Sequence, residues 1–89
     1  SFLSLTDYSK QLENKIESYV YFDGDATQKA LHNAILNLPN KQRIVFNMRY
    51  FDEMKYEEMS EILGTSVGAL KASYHHASQK VQNSLESLL

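Results

Sequence analysis

The stretch that decides the fold is YEEMSEILGTSVGALKASYHHA, residues 56–77, which is typical of two helices separated by a short break. The first part has apolar residues at helical spacing, namely Tyr56, Met59, Ile62 and Leu63. Gly64 can end this helix, because glycine readily adopts the left-handed conformation that follows a helix C-terminus. Ser66 can cap the next helix, since its hydroxyl can accept a hydrogen bond from a backbone N–H group. Two helices joined by such a turn predict a helix-turn-helix.

The second helix of this pair carries the longest apolar stripe in the chain. The stripe consists of Leu70, Tyr74, Ala77, Val81, Leu85 and Leu88. Its steps of three and four predict a helix of about 20 residues, or about 30 Å at the rise of an α-helix. The outer face of this helix offers Val67, Lys71, Ala72, His75 and His76.

A helix presented in this way can place its N-terminal residues at base edges in the major groove of DNA. Its free N–H groups and its dipole also favour a phosphate near Ser66. An ordinary helical hairpin with a glycine break would have the same pattern. The stretch from Tyr56 to Ala77 therefore leaves DNA binding and a purely structural hairpin open.

Two more helices are predicted immediately before the helix-turn-helix. One begins at Asp25, which could form a capping box with Gln28, and ends before Pro39. The next covers Lys41–Phe51 and could be capped by Asn40. This segment is apolar nearly all round, which predicts a central helix that is contacted from several sides.

A further amphipathic segment, about residues 6–20, begins the chain. Its apolar residues recur at steps of three and four, and Thr6 or Asp7 could cap it. The segment is also acidic, so it could instead be a linker that becomes ordered against a partner. The predicted fold is therefore all-α: a small domain of four helices ending in a helix-turn-helix, with an additional N-terminal linker helix.

Length and composition limit the function. The chain has 89 residues, no cysteine and a formal net charge of −2. The absence of cysteine excludes a disulfide framework and thiolate zinc sites, which favours a cytoplasmic protein. No apolar run is long enough to span a membrane. The negative net charge argues against non-specific binding to a polyanion, but the excess of acids lies in residues 1–26, with two lysines and five acids.

Enzyme activity, a metal site and a cofactor are not expected. His75 and His76 are adjacent, so on a helix they point about 100° apart and cannot chelate one metal together. Glu57, Glu58 and Glu61 fit the start and outer face of a helix, where acids interact favourably with the helix dipole. The sequence contains no P-loop, no glycine-rich phosphate cradle and no nucleophile–base set.

The run LHNAILNLPNKQRIVFNMRYFDEMKYEEMSEILGTSVGALKASYHHASQKV, residues 31–81, resembles region four of bacterial sigma factors. It is most similar to the extracytoplasmic-function group, and SVGALKASYHHA resembles the Bacteroides-type variant. The resemblance implies a promoter-binding domain at 27–89. Residues 1–26 would then be a linker or N-terminal helix following a region-two domain that this chain lacks.

The resemblance also implies partners and site residues. Region four binds the −35 element of promoter DNA with its last helix, docks on the β flap of RNA polymerase core, and is often held by an anti-sigma factor. The family's DNA-facing positions on the last helix correspond to Ser66, Val67, Ala69, Lys71, Ala72 and His76. Lys41 and Arg49 match basic positions that approach the phosphate backbone.

Arginine is common in the family where this chain has Ser73, His76 and Ser78, so readout of guanine by arginine is not expected here. Two other functions remain open from the sequence. One is the helix-turn-helix output domain of another transcription regulator. The other is a protein-interaction domain that has lost DNA binding, which the scarcity of arginine would permit.

Overall fold

The computed structural model of the chain describes residues 4–23 and 25–87, with the side chains of all of these but residues 21–23. Its described part is helical and contains no strand. The elements are α1 (Leu5–Asp23), α2 (Asp25–Leu36), α3 (Asn40–Phe46), α4 (Tyr56–Leu63) and α5 (Val67–Glu86), and α3 continues into a π-helical turn at Asn47–Phe51. The predicted all-α fold with a terminal helix-turn-helix is confirmed. None of the described helices is both long and apolar enough to cross a membrane.

Helix α5 is the centre of the fold. It packs against α1, α2, α3 and α4, and it is 20 residues long, as predicted. Its apolar stripe is buried, from Leu70 through Tyr74, Ala77 and Val81 to Leu85. Leu88, the last residue of the predicted stripe, lies outside the described residues, as does the Gly24 turn.

Helix α1 lies alongside α5 and points in the same direction. Ser9 is next to His75 near the start of α1, and Tyr19 is next to Glu86 near its end. Ile16, between them, is completely buried in the common core. The acidic N-terminal segment is therefore a helix packed on the domain, which was one of the two expectations for it.

The caps of α1 and α3 differ from the predicted ones. Helix α1 is capped by Ser4, whose hydroxyl accepts from the Asp7 N–H at 3.1 Å while its own N–H donates to the Asp7 carboxylate at 3.2 Å. The prediction of Thr6 or Asp7 as the cap was thus wrong by a few residues. Asn40 is the first residue of α3 and does not cap it, because its side-chain oxygen accepts from Arg43.

Helix α3 is one-sided rather than buried all round. Val45 and Phe46 are completely buried against the core, whereas Ile44 is 47% and Phe51 is 55% exposed. Ile62 of α4, one of the apolar residues that predicted this helix, is also 60% exposed. The expectation of a helix contacted from several sides was wrong, because α3, like α4, contacts the core through one side, and the opposite side has no covering helix within the described residues.

Candidate nucleic-acid interface

The turn between α4 and α5 has the geometry predicted for a helix-turn-helix. Gly64 adopts a left-handed conformation with φ of 64°, and its N–H donates to the Ser60 carbonyl at 2.9 Å. Ser66 caps α5, since its hydroxyl accepts from the Ala69 N–H at 3.2 Å. Leu70, in the second turn of α5, is completely buried in the core. These contacts fix the direction in which α5 leaves the turn.

The face of α5 opposite the core is made largely of small and uncharged side chains. Ala69 and His76 are exposed and Ala72 is half-buried. At 100° per residue these three positions fall on one side of the helix, with exposed Ser66 at its start. Val67 is half-buried and packs against the core, so it lies away from this face. We call Ser66, Ala69, Ala72 and His76 the outer face of α5.

The candidate cations lie around this face rather than on it. Lys41 is exposed near the start of α3. Lys71 is half-buried, with its Nζ 5.7 Å from the centre of the Tyr56 ring. Arg49 donates from Nη1 to the Met54 carbonyl at 2.6 Å, and its guanidinium lies 4.6 Å from the same ring centre.

His75 is directed towards α1. Its Nδ1 lies 3.4 Å from the Ser9 hydroxyl, and its ring meets the Tyr8 ring edge-on with the centroids 6.2 Å apart. His76 is exposed on the outer face of α5. The two histidines therefore point apart, and their ring centroids are 6.0 Å from each other. Within residues 4–23 and 25–87, no cluster of His, Asp or Glu side chains is placed to hold a metal ion.

Acidic side chains of α1 approach the base of the helix-turn-helix. The Tyr74 hydroxyl donates to the Glu13 carboxylate at 2.9 Å. Burial raises the pKa of Tyr74, and the neighbouring Glu13 carboxylate raises it further. Burial, with Glu17 and Glu13, raises the pKa of Tyr50 to about 12. Both phenols therefore stay protonated near neutral pH, which makes the Tyr74 hydroxyl a hydrogen-bond donor to Glu13.

Two members of this region were not identified from the sequence as part of a site. Tyr56 is one of the apolar residues that predict the helix before Gly64, yet its ring lies close to both the Arg49 guanidinium and the Lys71 ammonium. Glu13 lies 61 residues from Tyr74 in the chain. The contacts of Tyr56 and Glu13 leave no signal in the local sequence, because each joins residues from different elements of the fold.

An apolar groove of about 410 Å³ is lined by residues of α1, α2, α3 and the π-helical turn, and by no residue of α5. Leu36, 52% exposed, and Phe51, 55% exposed, form parts of its walls. Val20 of α1 and Leu31 and Ile35 of α2 also line it. Arg43, which donates to the Leu36 carbonyl at 3.3 Å, contributes a charged edge.

The comparisons with known proteins agree with this geometry. A family model described as "Sigma-70, region 4" matches residues 28–81. The chain is 34% identical over 58 residues to the ECF RNA polymerase sigma factor SigW of Bacillus subtilis, a match that covers 65% of this chain and 31% of that protein. It is also 34% identical over 68 residues to the RNA polymerase sigma-E factor of Streptomyces avermitilis, covering 71% of this chain and 38% of that one.

The chain thus spans about a third of the length of these curated relatives. No solved structure matches it. The Bacteroides-type character stays a prediction. The family match covers α2 to α5, the elements that form the helix-turn-helix and its support. The resemblance noted from residues 31–81 is confirmed, and the chain belongs to the sigma-70 region 4 family of extracytoplasmic-function sigma factors.

Proposed function

We propose that this chain is the promoter-recognition domain of a sigma factor and that it binds the −35 element with α5. The observation that carries the proposal is the turn at Gly64–Ser66, which leaves α5 with a capped N-terminus and an uncovered outer face. A recognition helix enters the major groove with its N-terminal residues towards the base edges. Membership of the region 4 family supports the same role.

The proposed DNA contacts are of two kinds. Ala69 and Ala72 are small enough to let the helix approach closely, and their methyl groups suit contact with a thymine methyl. Ser66 and the free N–H groups of the first turn suit a phosphate, and His76 and Lys71 suit base edges or phosphates. Lys41 and Arg49 are proposed backbone contacts. His75 and Val67 remain in the proposed set, although His75 lies towards α1 and Val67 towards the core.

The proposed protein partner is the β flap of RNA polymerase core. The groove beside Leu36 and Phe51 supports this partner, since exposed apolar side chains around a concave surface are typical of protein-binding sites. No residue of α5 lines the groove, so the two proposed surfaces share no residue and DNA and polymerase could be bound together. An anti-sigma factor is a further proposed partner, which would compete for one of these two surfaces.

The proposed arrangement in the parent protein places α1 after a region-two domain. Residues 1–26 would form the linker and 27–89 the promoter-binding domain, with α1 packed along α5. Region 4 proteins are transcription-initiation factors. We therefore propose no catalytic residue and no cofactor for this chain, and a cytoplasmic location, where the polymerase acts.

The experiment that tests this function compares Lys71→Ala with Lys29→Ala in the parent sigma factor. Both changes remove one lysine, but Lys29 is exposed on α2, outside the proposed interface. We expect Lys71→Ala to abolish transcription from a cognate promoter, and Lys29→Ala to leave it unchanged. Circular dichroism should show the same helix content for both variants.

A pull-down with the polymerase β-flap fragment completes this test. Binding to the flap together with Lys71-dependent promoter use supports a sigma domain. DNA binding without flap binding would indicate the output domain of another regulator. Flap binding with promoter activity that survives Lys71→Ala would contradict the assigned role of α5.

A further inference from the structure

Tyr56 connects the three elements that form the DNA-binding unit. It is the first residue of α4, and 7% of its surface is exposed. Its ring lies 4.6 Å from the guanidinium carbon of Arg49, which precedes α4, and 5.7 Å from the ammonium of Lys71 on α5. Both distances lie within the range in which a cation is attracted to the face of an aromatic ring.

The ring is held in place from the α3 side. The π-helical turn at Asn47–Phe51 ends α3, and the Asp52 N–H donates to the Asn47 carbonyl at 3.2 Å. Arg49 then donates to the Met54 carbonyl at 2.6 Å, which closes the loop that leads into α4. The loop and the Arg49 guanidinium therefore position the Tyr56 ring independently of Lys71.

Tyr56 interacts with the two cations as a neutral ring. Burial raises the pKa of its phenol, and the nearby Arg49 lowers it by a smaller amount. The phenol is therefore protonated near neutral pH, and the attraction comes from the ring quadrupole rather than from a phenolate. Such an attraction uses no hydrogen-bond acceptor, so the N–H donors of the Lys71 ammonium that point away from the ring can contact DNA.

Among the proposed DNA contacts, Lys71 is the one whose binding benefits from a side chain that is ordered beforehand. A lysine side chain has a long, flexible stem and loses rotamer freedom when it binds a phosphate or a base edge. Lys71 is half-buried beside Tyr56, so part of this ordering occurs when the domain folds. Ordering a contact residue before binding lowers the cost of binding.

We propose that Tyr56 is a positioning residue for promoter recognition, whose ring holds the Lys71 ammonium at the edge of the outer face of α5. This inference rests on the proposed function, because it assigns Tyr56 a role that acts through a DNA contact. Tyr56 itself touches no DNA in this arrangement. The role is distinct from simple core packing, since it predicts that Tyr56 and Lys71 contribute to DNA binding as a pair.

The test is a double-mutant cycle on the 89-residue chain, with a duplex that the native chain enriches from a randomised pool at low salt. Tyr56→Leu keeps an apolar side chain but removes the ring. We expect it to weaken DNA binding about two- to tenfold, the affinity equivalent of ordering one flexible side chain. In a Lys71→Ala background the same change should have no further effect on affinity.

Two variants serve as controls. Tyr56→Phe keeps the aromatic face and should rescue the affinity lost in Tyr56→Leu. Tyr19→Leu makes the same chemical change in α1, where the Tyr19 hydroxyl donates to Glu86 at the far end of α5. This change should leave the affinity for DNA unchanged. Melting curves establish that each variant is folded at the assay temperature.

A nuclear magnetic resonance measurement on the unmodified chain tests the contact without any substitution. Ring currents of Tyr56 should move the ε-methylene protons of Lys71 upfield from their usual position, and Tyr56→Phe should preserve the shift. Unshifted protons would overturn the proposal even if Tyr56→Leu does not fold.

The outcomes separate this inference from the proposed function. If the native chain enriches no sequence, or if Lys71→Ala does not weaken binding, the proposed function itself fails. If Lys71→Ala weakens binding but Tyr56→Leu costs the same affinity in both backgrounds, only the positioning role is overturned. A gain of affinity in Tyr56→Leu would also overturn it, because the ring would then withhold Lys71 from DNA.

Discussion

Gly64 and Gly68 lie four residues apart, one in the turn of the helix-turn-helix and one in the first turns of α5. Gly64 has a φ of 64°, whereas Gly68 lies within the helix and has no positive φ. A Cβ atom built at either position would meet no atom within 4 Å apart from those of the adjoining backbone. The two sites therefore differ in backbone conformation and not in available space, so they isolate the conformational effect of glycine.

Substitution of the two glycines by alanine should change stability in opposite directions. Gly64→Ala should lower the free energy of unfolding by roughly 1–2 kcal/mol, because an L-residue is strained in the left-handed conformation. Gly68→Ala should raise it by about 0.5–1 kcal/mol, since alanine loses less backbone entropy in a helix. Urea denaturation followed by circular dichroism measures both. Equal effects of the same sign would contradict the turn geometry.

At the scale of single residues, local signals could be read from the sequence and non-local ones could not. The conformation of Gly64 and the Ser66 cap follow from short-range chemistry, and both are present. Asn40 is an equally suitable capping residue, but its side-chain oxygen accepts a hydrogen bond from Arg43 instead. Whether a residue caps a helix therefore depends on which neighbouring donors compete for its side-chain oxygen, and its position in the sequence does not reveal this competition.

Among the helices, α1 contributes more to the domain than its acidic composition indicated. Spacing alone allowed either a helix or a linker that becomes ordered against a partner. The structure packs α1 along α5, with Ile16 completely buried and Tyr74 donating to Glu13. The π-helical turn after α3 was also absent from the sequence prediction, because an apolar pattern does not distinguish a regular turn from a widened one.

Packing of α1 predicts a large effect from one small truncation. Ile16→Ala should lower the free energy of unfolding by roughly 2–5 kcal/mol, through lost burial and the cavity left in the core. The neighbouring substitution Lys15→Ala changes an exposed residue of the same helix and should shift stability by less than about 0.5 kcal/mol. Urea denaturation of both variants is the measurement. Similar small effects at both positions would mean that α1 is not part of the cooperative unit.

For the whole molecule, the distribution of charge bears directly on the proposed function. Residues 27–89 contain seven bases and six acids, a formal net charge of +1, while residues 1–26 are acidic. Glu13 and Glu17 of α1 line a polar cleft together with Arg49, so the acidic helix lies close to a proposed DNA contact. Of the five residues that the sequence assigned to the outer face of α5, Ala72 and His76 lie on it, and the other three lie towards the core, α1 or Tyr56. The sequence could not predict how Arg49 and Lys71 meet at Tyr56, which depends on three helices crossing.

This charge distribution predicts weak DNA binding that disappears as salt is added. Each neutralised phosphate adds about 0.9 to the slope of log affinity against log salt, so a few contacts from Lys41, Arg49 and Lys71 give a slope of about −3. The isolated chain should bind a cognate −35 duplex at low salt, and this binding should no longer be detectable near physiological salt.

Salt titrations monitored by fluorescence anisotropy measure this slope. Lys41→Ala should make it shallower by about 0.9, the contribution of one phosphate, whereas Lys29→Ala on the exposed side of α2 should leave it unchanged. Within the holoenzyme, tethering to the polymerase supplies the effective concentration that the isolated domain lacks, so promoter binding should persist at physiological salt. Tight binding of the isolated chain to any duplex at physiological salt would contradict this, because a domain with a net charge of +1 would then need no polymerase to reach DNA.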